Sequence, residues 1–256
     1  IPTDSSSTKP NFHPEVIAKH NRGVGLMGKY NFDQARDVFD QLHQQHPEWQ
    51  DFVVDLAIAT LNRQSPTDEE TAAALLDEVL QQNPDHIRAM FCRAVLYMNS
   101  GHSDLALPLF QRVVTQDADD AYAKYFTGQC LLDLGQAKSA LNAFLDAVAK
   151  DPYLRSGYYG AFNAARQLGN NEQATKYLQD FQKLDGNPQA RLAEIKYTRM
   201  GPNAIVRTLS TEKPKPSSEP VTGSLFGDPI PLRVTNESIR WWTGEAPKAT
   251  STICDI

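Results

Sequence analysis

Apolar residues recur along most of this chain every three to four positions, the spacing of amphipathic helices, and the pattern breaks at regular places. The stretch ADDAYAKYFTGQCLLDLGQAKSALNAFLDAVAKDP, Ala118 to Pro152, predicts two helices joined by a turn at Gly135, and the segments on both sides are variants of it. Gly101, Gly135 and Gly169 are 34 residues apart, Ala106, Ala140 and Ala174 keep the same step, and so do Phe110, Phe144 and Leu178. A fixed period of this length with helical patterning inside each unit predicts a stacked array of helix pairs, in which neighbours supply the core that one unit cannot close alone.

Taken in order, residues 1–13 lack periodic apolar positions and predict a flexible lead-in. The first unit starts at Pro14, well placed in a first helical turn, and continues through a second helix with Ala35, Val38, Phe39 and Leu42 on one face to Pro47. The second unit runs from Glu48 to Pro84, three residues over the period, and the excess falls in the turn NRQSPTDEE, where a loop absorbs an insertion at small entropic cost. The third and fourth units, Asp85 to Ala118 and Asp119 to Pro152, return to 34 residues. A fifth spans Tyr153 to about Gly186. PQARLAEIKYTRMG then predicts one more helix, ending at Gly201, whose Arg191, Glu194, Lys196 and Arg199 suit the solvent side of a cap. The expectation is an all-α, right-handed superhelical solenoid over residues 14–200, with about five helix pairs plus a capping helix.

Within each unit, small residues mark close helix crossings: Gly23, Ala57, Ala94 and Gly128 in first helices, and Ala35, Ala72, Ala106, Ala140 and Ala174 in second helices. Phe39, Leu76, Phe110, Phe144 and Leu178 fill the gaps between units. A small residue in the first helix, Gly before the turn, Ala then an aromatic or Leu in the second helix, and Pro at the unit boundary together resemble the tetratricopeptide repeat over about residues 14–187. HNRGVGLMGKYNFDQA, DPYLRSGYYGAFNAARQLG and KYTRMGP also resemble the amino-terminal repeat region of bacterial proteins that continue into FG-GAP/VCBS-type propellers with an ASPIC/UnbV module.

Beyond Gly201 the helical pattern stops. Residues 201–235 predict a Pro/Ser-rich linker, and 236–256 an irregular, β-prone tail built around LRVT and SIRWWT. The propeller resemblance implies that this tail leads into calcium-binding blades, with Asp255 as a first ligand, although one carboxylate makes no such site by itself. Two adjacent Trp in a strand point opposite ways, so Trp241 and Trp242 are candidates for docking on the solenoid or on a partner.

Composition removes several function classes. A net charge of −6 without clustered Lys and Arg argues against nucleic acid, and no apolar run is long enough to span a bilayer. The sequence carries no GxGxxG, GxxxxGK[ST], HExxH or GxSxG pattern, and its six histidines are read as scattered surface residues. Cys92 and Cys130 read as small apolar residues on packed helices, so neither a metal nor a cofactor is expected. A leader removed ahead of Ile1 would place the protein in the periplasm or outside the cell, with the cytoplasm as the alternative.

The expected function is a non-catalytic protein–protein interaction scaffold or assembly subunit that binds a protein or extended peptide. The alternatives are a substrate-binding or regulatory arm of a larger enzyme, or the amino-terminal part of a calcium-binding propeller adhesion protein. In the tetratricopeptide resemblance the first helices line a concave groove, which assigns Arg88, Phe91, Tyr122, Tyr125, Gln129, Tyr159, Asn163 and Arg166 to partner contact. Family members that hold a chaperone's terminal carboxylate use Lys and Asn on the first helices of the first two units. His20, Val24 and Asp55 stand at those places, so that activity is not implied.

Overall fold

A computed structural model describes residues 12–210 together with the backbone of four short strand segments between 232 and 251. Among the described residues ten helices follow one another as five antiparallel pairs: α1 (Pro14–Gly28) with α2 (Phe32–Gln45), α3 (Gln50–Arg63) with α4 (Asp68–Gln82), α5 (Ile87–Asn99) with α6 (Ser103–Gln116), α7 (Ala121–Asp133) with α8 (Ala137–Lys150), and α9 (Arg155–Gln167) with α10 (Asn171–Lys183). The unit boundaries and turns follow the 34-residue period, apart from the three-residue insertion in the second unit.

The turns explain the period in backbone terms. Gly101, Gly135 and Gly169 hold φ between +74° and +78°, a left-handed conformation open to Gly without a Cβ clash. Tyr30 and Gln64 stand at the same place in the first two units and hold φ of 58° and 60° despite their side chains. The insertion in the second unit is ordered from inside. Buried Asp68 accepts a bond from Ser65 N at 2.7 Å and pairs with Arg63, whose guanidinium holds the carboxyl below its usual range.

Packing follows the small-residue register. Phe144 is fully buried at the junction of α7, α8 and α9 because two glycines make room for its ring: a Cβ at Gly128 would stand 2.7 Å from it, and one at Gly160 2.5 Å. Gly23 gives Phe39 the same space in the first unit. Phe91, Phe110 and Phe126 form an edge-and-stack cluster across the third and fourth units, with centroids 5.4 to 5.9 Å apart. At the amino end Phe12 lies against Trp49 and Phe52, with centroids at 4.7 and 5.3 Å, ahead of the first residue of α1.

The structure departs from the sequence reading after α10. Residues 188–200, expected as a capping helix, form turns and extended backbone, and residues 201–210, expected as linker, are packed against the solenoid. Ala193, Tyr197, Met200, Ala204 and Val206 are buried and join the same apolar core as the helices. The helical pattern of this segment is overridden because its apolar side chains find more burial along the first helices than a helix could give them at the array's end.

A second unit covers residues 212–256. In it β1 (Leu232–Val234) pairs antiparallel with β2 (Glu237–Ile239), and β3 (Trp241–Trp242) with β4 (Thr250–Ser251). The side chains of Trp241 and Trp242, most of the predicted linker, and Asp255 lie outside the described residues.

Candidate functional site

The inner face of the solenoid is built from the first helices α1, α3, α5, α7 and α9, and residues 191–209 run along it from the fifth unit back to the first. At the start of this strap Arg155 N donates to Arg191 O at 2.8 Å, and Ser156 Oγ accepts from Ala193 N at 3.0 Å. In the middle Gly201, with φ of 98°, lies so close to the Tyr122 side chain that a Cβ there would be 2.6 Å away. Pro202–Ala204 makes a single 3-10 turn that presents Asn203 Nδ2 to Asp120 Oδ2 at 2.8 Å, while Cys92 Sγ reaches Asn203 O at 3.7 Å. Farther along, Arg88 Nη2 donates to Ile205 O at 3.3 Å. At the end Asn21 holds the main chain of Leu209 with two bonds: Leu209 N donates to Asn21 Oδ1 at 2.8 Å, and Asn21 Nδ2 donates to Leu209 O at 2.9 Å.

Two equivalent positions in successive first helices make this lining. One carries Asp51, Arg88, Tyr122 and Ser156; the other, one helical turn later, carries Asn21, Asp55 and Cys92. Beneath the strap His20, Asp55 and Arg88 form a buried polar chain, with His20 Nε2 to Asp55 Oδ2 at 2.8 Å and Arg88 Nη2 to Asp55 Oδ1 at 2.5 Å. Arg88 also bonds Asp51 at 2.8 Å. Burial opposes ionisation of Asp55, but the Arg88 guanidinium and the His20 ring outweigh it and hold the carboxyl below its usual range. The histidine taken for a surface residue is 1 % exposed and ends a polar chain that joins three units.

Asp120 does two things at once. Its Oδ1 caps α7 by accepting from Tyr122 N and Ala123 N, both at 2.9 Å, and its Oδ2 receives the strap's Asn203. Burial pushes its carboxyl up despite these three donors. The Cys92 and Cys130 thiols are free and buried, and burial raises both to about 12, so neither is a ready nucleophile.

The residues assigned to a groove from sequence divide into three groups, apart from Gln129, which is half-buried on α7 at the repeat position of Asn163. Arg88 and Tyr122 do face the inner channel, and both touch the strap. Phe91 is fully buried in the aromatic core, and Tyr125 is 8 % exposed against Phe126 and Phe144, with burial pushing its hydroxyl up to about 12. Both belong to the surface through which one unit packs on the next. Tyr159 is equivalent to Phe91 and Tyr125 in the repeat, but it sits on the last first helix and is 47 % exposed, beside Phe162 and Phe181. Arg166 lies over the Phe162 ring at 5.4 Å and Asn163 is half-buried, so these three mark the open end of the array. Among the described residues no group of His, Cys, Asp and Glu is placed to hold a metal ion, and no helix is long and apolar enough to cross a membrane.

Comparison with known proteins agrees with this architecture. Residues 93–154 match the model of the tetratricopeptide repeat. No curated protein matches the chain. Among solved structures, MamA 41-end from Desulfovibrio magneticus RS-1 is similar with a TM-score of 0.60 at 18 % identity, over 69 % of this chain and 98 % of that one. MamA from MSR-1 gives 0.57 at 18 % identity, over 68 % and 98 % of the two chains. A further MamA crystal structure gives 0.57 at 16 % identity, over 68 % and 94 %. The described helices thus form a tetratricopeptide-like solenoid similar in fold to these structures, with residues 93–154 matching the repeat.

Proposed function

We propose that this chain is a non-catalytic interaction scaffold that takes a protein partner through its solenoid. Repeats of this kind and the MamA-like fold support an interaction scaffold in general. The observation that carries the reading furthest is the inner face's grip on a main chain: Asn21, Arg88, Cys92 and Ser156 all bond backbone atoms of a segment outside the α-helices. Side chains that bond backbone groups accept many sequences, which is how a rigid groove binds peptides. The open end at Tyr159, Asn163 and Arg166 is proposed as a further docking surface, because aromatic and Arg side chains there are presented without a following unit.

Affinity capture of the full chain from its source cells tests this, with Tyr159→Ala and Arg166→Ala variants alongside. A partner recovered in stoichiometric amount, and reduced by either variant, is the expected result. A chain that elutes alone as a monomer under mild salt contradicts it. An enzyme subunit among the recovered proteins would favour the regulatory-arm alternative. The propeller-linked alternative rests on the sequence around Asp255, outside the described residues.

A further inference from the structure

We propose that the strap is a resident mimic of a partner peptide, and that the inner face binds a segment of another protein carrying a Gly-X-Asn sequence once Gly201, Pro202 and Asn203 are displaced. The inference rests on the scaffold reading above and adds both the chemistry of the bound segment and the element that competes with it.

Three observations lead to it. First, most polar bonds between the solenoid and the strap reach strap backbone atoms, at Arg191, Ala193, Asn203, Ile205 and Leu209, so a different chain in the same path can satisfy them. Second, few contacts read strap side chains: Arg191 Nη1 donates to Asp151 Oδ2 at 2.7 Å at the strap's start, Tyr197 meets the Phe32 ring, and two further contacts meet at residues 201–203. Asp120 accepts the Asn203 amide, and Tyr122 leaves no room for a Cβ at Gly201, so the channel selects an amide donor two residues after a glycine. Third, the strap's conformation is imposed by the groove. Residues 188–200 have a helix-forming pattern yet lie in turns and extended backbone, with Thr198 at φ 70°, a conformation that costs a β-branched residue energy. A segment whose local preference opposes its bound shape has a second conformation available on release.

The tether sets the terms of competition. The strap follows α10 through a short connection at 184–190, so its local concentration at the groove is on the order of millimolar, and a free peptide of equal intrinsic affinity competes poorly. A partner must therefore bind more tightly than the strap, or bind after the strap has been loosened. Loosening the strap by a given factor should raise the apparent affinity for a peptide in trans by that factor, up to the fully open limit.

The test uses the full chain and a fluorescein-labelled peptide with the sequence of residues 199–209, read by anisotropy at pH 7. The Asn203→Asp chain, whose strap faces Asp120 with a second carboxylate, should bind the peptide at least tenfold more tightly than the wild-type chain does. Its helical circular dichroism should remain. Replacing Asn by Asp or Gly by Ala in the peptide should abolish the gain. Failure of the opened chain to bind the peptide, when hydrogen exchange shows residues 191–209 unprotected, overturns the proposal, and so does collapse of the whole solenoid on Asn203→Asp. A second chain, with a protease site inserted in the 184–190 connection and cut after folding, removes dependence on that variant. Its strap fragment should exchange for labelled peptide within hours, whereas permanent retention contradicts the mimic. A chain that still captures its partner with an unexchangeable strap would leave the scaffold reading standing and refute only this inference.

Discussion

Replacing Asn203 by Asp changes one amide to a carboxylate of the same shape and makes closure of the strap depend on pH. In the native chain Asn203 Nδ2 donates to Asp120 Oδ2 at 2.8 Å, and both residues are buried, at 5 % and 4 % exposure. Such a bond to a charged acceptor contributes about 1.5–3 kcal/mol. In the variant two carboxylates meet at the same distance with Asp117 nearby, and repulsion between them is about 6 kcal/mol at an effective dielectric near 20. The cheaper route is to protonate one of the pair. For a carboxyl with an ordinary value near 4 this costs about 4 kcal/mol at pH 7, and about 1.4 kcal/mol less for every unit of acidification. The shared proton raises the folded-state value above the unfolded one, so the strap is held at low pH and lost as pH rises through that raised value. Hydrogen exchange of residues 191–209, corrected for intrinsic rates, should match wild type near pH 4 and show an open strap at pH 7. Equal protection of the two chains at pH 7 would refute the placement of Asn203 against Asp120.

The remaining predictions concern the solenoid that carries the groove. Gly25→Ala, at an exposed helical site with nothing within 4 Å of the new Cβ, should raise stability by roughly 0.5–1 kcal/mol, whereas Gly128→Ala should lower it by about 1–3 kcal/mol because the Phe144 ring, confined from the other side by Gly160, cannot retreat. Thermal melts of the two variants moving in the same direction would count against this packing. Tyr30→Gly should raise the melting temperature, since it removes a left-handed cost of roughly 1–2 kcal/mol from an exposed residue; an unchanged or lower midpoint would place the strain elsewhere. Asp55 and Asp68 are both held below the ordinary 3.8, so they stabilise the fold above that pH and their contribution disappears on further acidification. An acid-unfolding midpoint that Asp68→Asn leaves in place would remove Asp68 from that account.

The array was legible because every unit repeats the same solution. Small residues at crossings, Gly at left-handed turns and an aromatic between units recur at one spacing, so an error in any one unit is corrected by the next. Tyr30 and Gln64 show the limit of the local signal, since only the register marks them as turn positions. The inner face was harder to read because successive helical positions are about 100° apart, and assigning it one residue off exchanges the channel for the unit-to-unit surface. That displacement accounts for Phe91 and Tyr125, which pack between units, and for Tyr159, exposed because no unit follows it. The polar residues at the two channel positions, Asp51, Arg88 and Ser156 with Asn21 and Asp55, were the available signal, since charged and amide groups are expensive to bury between apolar helices without partners. The strap was not legible at all. Its apolar spacing fits a helix as well as a groove, and only tertiary contacts distinguish the two.

The most direct test of the central claim, that the solenoid's inner face holds residues 191–209 of its own chain, is residue-resolved hydrogen exchange on the full wild-type protein. The amides of Ala193 and Leu209, which donate to Ser156 and Asn21, and that of Ala204 should exchange far more slowly than an unstructured peptide of the same sequence. Asn21→Ala should speed exchange at Leu209 without affecting amides inside α7 and α8. Peptide-like exchange at all three strap positions in the wild-type chain would contradict the claim.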